Sequence, residues 1–268
     1  MKKHIVFFLA AVMVLPAFAE KRGSVMRGGF GFLFPDVNHF TNGGQMALNR
    51  GTALSAEYAK ADVAGTEEVA PSVVWANGKM GMGVGVDRMG VDISSSATTI
   101  DTLSAQAGAA IGEKVTVGAV YSRMLETNPM NDGTLSGQIN MHFGKPGQGF
   151  VVGVEAGTTL GGTATTQSGT AALGYAFASG LMLEGAYQVG NWSDAKNNHI
   201  YSASMVYNHS SWYVAGQYNA VTLAGTEPNI AAGRLGVVWG SVDLSAQVVK
   251  GVYTGGDTTY GGTLRLVF

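Results

Sequence analysis

The chain contains no cysteine, which excludes disulfides, thiolate catalysis and any Cys-based zinc or iron–sulfur site. Charge is scarce as well: Asp, Glu, Lys and Arg make up 13% of the 268 residues, about half the ~25% usual for soluble domains. A net charge of −2 supplies no cationic surface, so no nucleic-acid partner is expected. No stretch of 18 consecutive apolar residues occurs, and a mean hydropathy of +0.15 is too polar for a bundle of membrane helices. So little charge, at so moderate a hydropathy, fits segments that each carry one apolar and one polar face. Glycine is abundant, with 40 of 268 residues, about twice its ~7% average share.

Residues 1–19 read as an export signal. Lys2 and Lys3 precede an apolar run over 5–15, and Ala17-Phe18-Ala19 is a small-x-small cleavage site. The run is too short to span a bilayer, so a signal peptide is expected rather than a membrane anchor or a buried helix, with the mature chain starting near Glu20. Export without a lipobox Cys leads to the periplasm, the outer membrane or the medium.

Downstream, the hydrophobic period is two. In Leu135-Ser136-Gly137-Gln138-Ile139-Asn140-Met141-His142-Phe143 the odd positions are apolar or Gly and the even ones polar, the mark of a strand whose faces meet different surroundings. Residues 181–189 and 264–268 repeat it. Turn signals that alternate short and long cut the chain into fourteen expected strands: 52–61, 69–76, 80–89, 101–111, 115–125, 134–143, 149–160, 168–177, 181–190, 199–208, 212–222, 230–239, 242–253 and 257–268. The long polar connections are placed near 62–68, 90–100, 126–133, 161–167, 191–198, 223–229 and 254–257. Lengths near the ~9–11 residues of a tilted membrane strand, and an even count, predict an all-β, transmembrane, antiparallel up-and-down barrel over 52–268. A soluble sandwich would spend charge on its polar face, and a solenoid would show a repeated motif; neither is present. The expected organisation is 1–19 signal, 20–51 N-terminal segment, 52–268 barrel.

With the long loops placed outside the cell, outward aromatics gather at both strand ends. Trp75, Phe143, Phe150, Phe177, Tyr207, Trp212, Trp239 and Phe268 lie at one end; Tyr58, Tyr121, Tyr187, Tyr201 and Tyr260 lie at the other. Lys60, Arg88, Arg123 and Lys250 have outward parity near the extracellular ends. Their head groups either snorkel to water or contact lipopolysaccharide phosphates. Inward parity places Glu57, Asp87, His142, Glu155, Glu184, Arg234, Asp243 and Arg265 in the lumen. The acids outnumber the bases, so a wetted lumen favours cations mildly unless these groups neutralise one another across the bore or against a plug. Gly81, Gly83 and Gly85 also face inward; with no Walker-type Lys and no following helix, they predict close approach of another backbone.

Residues 20–51 are basic, aromatic and glycine-rich, with Lys21, Arg22, Arg27, Arg50, Gly28-Gly29-Phe30-Gly31-Phe32 and Asn42-Gly43-Gly44. Three readings fit: a hatch in the lumen whose Arg residues meet Glu57, Asp87, Glu155 or Glu184; an extra strand pair; or a periplasmic tail. No catalytic constellation emerges. The five His lack an evident nucleophile, His-Glu-x-x-His and calcium-loop patterns are absent, and lumenal carboxylates alone define no acid–base pair. No enzyme activity, metal or cofactor is expected.

The signal, the amphipathic strands and the terminal Phe268 resemble Gram-negative outer-membrane β-barrels of the porin type. The resemblance implies an outer-membrane location, lipid and lipopolysaccharide around the barrel, recognition of Phe268 by the barrel assembly machinery, homo-oligomerisation in some members, and passive diffusion of small solutes. Phe40-Thr41-Asn42-Gly43-Gly44-Gln45-Met46-Ala47-Leu48 is similar in position to the Asn-Pro-Ala hatch motif of FadL-like transporters, with Gly43 in place of Pro. That similarity implies a plugged lumen and a hydrophobic solute; a barrel without traffic is the remaining alternative.

Overall fold

The computed structural model describes residues 27, 29–36, 39–61, 66–93, 96–125, 133–145, 148–160, 165–224, 226–253 and 256–268. The export signal over 1–19 lies outside them. After a short helix α1 (Gly43–Met46) come fourteen strands: β1 (Arg50–Ala61), β2 (Glu67–Asn77), β3 (Met80–Ile93), β4 (Ser96–Ile111), β5 (Val115–Met124), β6 (Gly133–Lys145), β7 (Gln148–Leu160), β8 (Gln167–Ala176), β9 (Leu181–Val189), β10 (Asn198–Asn208), β11 (Trp212–Leu223), β12 (Ile230–Trp239), β13 (Val242–Gly251) and β14 (Thr258–Val267). Each strand pairs antiparallel with its sequence neighbours, and β1 closes on β14 through Ala53↔Val267 to Ala61↔Thr259. Closure leaves no edge, so every strand backbone finds partners without water.

Most expected boundaries agree to within two residues. The hairpin β3–β4 departs: instead of a long loop at 90–100, the strands continue to a pairing of Ile93 with Ser96. Val91 and the run Ala97-Thr98-Thr99-Ile100 suit extended backbone whether or not they lie in a membrane, so polarity alone misplaces the strand end. At the opposite rim the turns are tight. Asn77 Oδ1 accepts from the amides of Lys79 (2.9 Å) and Met80 (2.8 Å), while Gly78 takes φ +84°, the Asn-Gly chemistry of a hairpin.

The outer wall is apolar. Met82, Val84, Ile139, Val154, Leu173, Leu183, Met205, Leu235 and Leu244 all point outward and are exposed. A patch larger than a few hundred Å² has no place on a soluble monomer; a ring of it around a closed sheet is a wall solvated by hydrocarbon. Trp75, Phe143, Phe150, Phe177, Trp212 and Trp239 stand exposed at the short-turn rim, and Tyr58, Tyr187, Tyr201 and Tyr260 toward the long-loop rim. Buried apolar side chains lie inside the barrel, where the N-terminal segment meets the wall. One cluster joins Leu33 and Phe34 to Val151, Ala172, Ala176, Val206 and Ala215; another joins Met46 to Ala53, Val74 and Val267.

Candidate functional site: a floored lumen

The described residues between 27 and 49 occupy the short-turn half of the bore. Their seat is made of glycine. A Cβ at Gly108 on β4 would lie 1.9 Å from the carbonyl oxygen of Gly43, and one at Gly118 on β5 would lie 2.1 Å from the amide of Gly44. Backbone therefore rests on backbone, as it does where Gly81 meets Met46 O; at Gly83 and Gly85 the expected backbone approach is instead that of a side chain, the Phe40 ring. A Cβ at Gly43 would itself fall 2.3 Å from Ala107 O, so this seat excludes the Pro of the FadL-like motif. Gly108→Ala is expected to leave the strand intact and unseat α1, at about 1–3 kcal/mol of overpacking. Limited proteolysis of the folded barrel checks this: faster cleavage within 27–49 is the expected result.

Asn42 pins the helix. Its Oδ1 accepts from Gln45 N (3.1 Å) as an N-cap and from Asn140 Nδ2 (3.1 Å), while its Nδ2 donates to Asn140 Oδ1 (3.0 Å) and Phe32 O (3.1 Å). Asn140 also donates to Thr116 Oγ1 at 3.1 Å. Both amides are buried and paired, which a dry interior requires. Glu184 on β9 takes three backbone donors from the segment: Phe32 N at 2.7 Å on Oε1, then Leu33 N at 2.9 Å and Phe34 N at 3.2 Å on Oε2.

The opposite flank is ionic. Asp36, fully buried, bridges Arg234 Nη1 (3.3 Å) on β12 and Arg265 Nη2 on β14. Arg265 Nη1 donates to Asp243 Oδ2 at 2.9 Å, and Asp243 also meets Arg27 Nε (3.2 Å) and the Tyr213 hydroxyl (3.0 Å). Arg234 continues to Glu57 Oε2 (3.5 Å) and Gln247, with its guanidinium over the Phe30 ring at 4.9 Å. His39 Nε2 stands 3.8 Å from Glu57. Three guanidiniums thus meet three carboxylates. Among the described residues Arg27 alone sets a segment Arg on a barrel acid, and its partner is Asp243 rather than the expected Glu57, Asp87, Glu155 or Glu184. The main bridge is reversed, with the segment supplying the acid Asp36 and the wall the bases. Burial by itself pushes the Asp36 carboxyl up, but Arg265 and Arg234 outweigh it and hold it well below the ordinary 3.8. The folded pKa is depressed, so this contribution to seating is complete above pH ~4 and is lost as the pH falls through the lowered value. Protease accessibility of 27–49 should rise only in strong acid; a rise between pH 5 and 7 would assign the seating to another group.

Above the floor the remaining lumenal acids have no such ion pairs among the described residues. Glu68 and Asp87 line a cavity of about 270 Å³ with His39, Phe40 and Glu57. Glu155 lines a second, also about 270 Å³, with Phe30, Phe32, Phe40, Gln188, Ser202 and Gln217. Glu68 escapes sequence reasoning because β2 extends to Glu67, which gives residue 68 inward parity. Asp36 and His39 escape it because no strand pattern covers them. His142 is half-buried near the short-turn rim, its Nε2 without a hydrogen-bond partner among the described residues. Outside, Lys60 pairs with Glu67 at 3.0 Å and Arg88 grips Asp101 with two bonds at 2.7 and 2.6 Å. Arg123 and Lys250 are exposed and form no ion pair among the described residues. Phe268 exchanges backbone hydrogen bonds with Thr52 at 3.0 and 2.9 Å, closing the sheet.

No protein-family model matches the chain, and no curated protein matches its sequence. Among solved structures, the barrel is similar to the Ralstonia pickettii toluene transporter TbuX, with a TM-score of 0.58 and 11% identity over 91% of this chain and 97% of that one. The Acinetobacter baumannii outer membrane protein Omp33 gives 0.55 and 11% over 83% and 100%. A mutant of the Rh. blastica porin gives 0.51 and 8% over 81% and 99%. At such identities the likeness is one of fold: the chain has the architecture shared by these bacterial outer-membrane barrels.

Proposed function

We propose that the protein is an outer-membrane channel whose bore is floored by the described residues between 27 and 49 acting as a hatch, and that small solutes cross by passive diffusion when the floor yields. The observation that carries this reading is Asp36, fully buried between two wall arginines. A segment held to the wall by ion pairs is released when a partner is lost, whereas a purely apolar plug is part of the core. With Glu57, Asp243, Arg234 and Arg265 neutralising one another, Glu68, Asp87 and Glu155 leave the outer vestibule negative, so cations are preferred. The exported chain would insert with Phe268 as assembly signal. Arg123 and Lys250 are the better placed for lipopolysaccharide phosphates, since Lys60 and Arg88 must first leave Glu67 and Asp101. Homo-oligomerisation follows from the resemblance to porins alone.

In planar bilayers the unmodified chain is expected to dwell closed and open briefly, with a reversal potential in a KCl gradient that favours cations. Steady ohmic steps from insertion onward would replace the floored reading with an open pore. A second reading, a FadL-like carrier of hydrophobic compounds, is favoured by the Asn42-pinned helix and by the likeness to TbuX, a toluene transporter. It predicts silence in the bilayer together with an apolar compound retained by the purified protein.

A further inference from the structure

We propose that the chamber around Glu155 binds a small amphipathic organic cation, a protonated amine carried on an apolar ring-bearing body. The inference rests on the reading of residues 27–49 as a floor, because Phe32 and Phe40 of that segment make one wall of the chamber. The opposite wall carries Gln188, Ser202, Gln217 and Glu155. At about 270 Å³ the chamber lies just below the ~300–1,000 Å³ typical of clefts for drug-sized ligands, which suits a small one.

The charge balance selects the ligand. No Lys, Arg or His is among the residues lining this chamber. It has two carboxylates, and Glu184 spends both oxygens on the amides of Phe32, Leu33 and Phe34. Glu155 is held differently. The buried Gln138 donates from Nε2 to Glu155 Oε2 at 3.0 Å and to Ser136 Oγ at 2.8 Å, which fixes the carboxylate with neutral partners and leaves its charge without a counter-ion among the described residues. The neighbouring chamber, across Phe40, adds Glu68 and Asp87 of the same sign. A cation entering here gains that carboxylate, and the nearby aromatic faces add cation–π attraction. Phe30 already accepts a guanidinium in this way, with Arg234 at 4.9 Å. A hydrocarbon would strip water from Glu155, Gln188, Ser202 and Gln217 and return no hydrogen bond, which leaves buried polar groups unpaired. An anion would meet like charge.

The test is calorimetric titration of the full exported chain in detergent with 2-phenylethylammonium, toluene and phenylacetate. Saturable binding of the amine is expected, at least tenfold tighter than either of the others. Glu155→Gln, which retains an acceptor for Gln138, should weaken the amine at least tenfold while leaving the heat-modifiable band of the folded barrel unchanged. Toluene or phenylacetate binding as tightly as the amine, no amine binding by the folded chain, or an unchanged amine affinity in Glu155→Gln would each overturn the proposal. The floor stands on a separate measurement. If an Asp36→Asn channel conducts and the amine is not bound, this inference fails alone. If the amine binds and Asp36→Asn stays silent, the chamber stands and the releasable floor does not.

Discussion

Asp36→Asn is expected to turn a mostly closed channel into a mostly open one. The substitution keeps the shape and removes the charge that two buried guanidiniums share. Losing one partner of a buried pair costs about 3–5 kcal/mol. The lower end applies here, because Arg265 keeps Asp243 at 2.9 Å and Arg234 keeps Glu57 at 3.5 Å. At ~1.4 kcal/mol per factor of ten, about 3 kcal/mol corresponds to a rise of roughly a hundredfold in open-to-closed ratio. The barrel wall contributes little to this energy, since its fourteen pairings are untouched. Single-channel open probability reads the effect directly, and faster proteolysis of 27–49 should accompany it. An unchanged closed dwell in a folded Asp36→Asn barrel would locate the seating in the apolar clusters around Leu33 and Met46 instead.

The second large effect separates the two faces of one hairpin. Leu235 on β12 points outward at mid-strand and is 58% exposed. Gln217 on the adjoining β11 lines the lumen. Leu235→Arg should cost about 2–4 kcal/mol for folding into lipid vesicles, the range for a cation at the midplane of a barrel's outer wall. Gln217→Arg should fall within about 1 kcal/mol of the unmodified chain, because a lumenal head group stays in water. Urea titration in vesicles measures both. Equal costs would mean that outward and inward positions meet the same solvent, and the membrane reading would fail.

The barrel was legible because alternation is a local property. A strand's two faces are fixed by period-two geometry, so Ser136, Gln138 and Asn140 could be turned inward without knowing their neighbours. Asn-Gly and Gly-Ser turn chemistry then cut the chain at nearly the observed places. The hairpin at 90–100 departs from its turn signals because β-branched and Thr-rich residues extend a strand with no change of pattern. Lumenal placement was equally legible, yet partnership was not. Parity turns Glu57, Asp243, Arg234 and Arg265 inward and leaves open whether they meet water or one another; they are largely neutralised by a network that includes Arg27 and Asp36.

Alternating chemistry along each segment, and nothing more remote, settled that this chain closes a sheet with an apolar outside and a polar inside. Apart from the closing pair β1–β14, every strand pairs with its sequence neighbours, so the register needs only short connections. What occupies the bore required three dimensions. Gly108 and Gly118 look like any other glycines of a Gly-rich strand until α1 lies on them, and Asp36 is an unremarked acid in a loop until strands 198 and 229 residues away bring Arg234 and Arg265 to it. Contacts at that separation leave no periodic trace in a sequence, because loop closure fixes their ends without constraining the residues between.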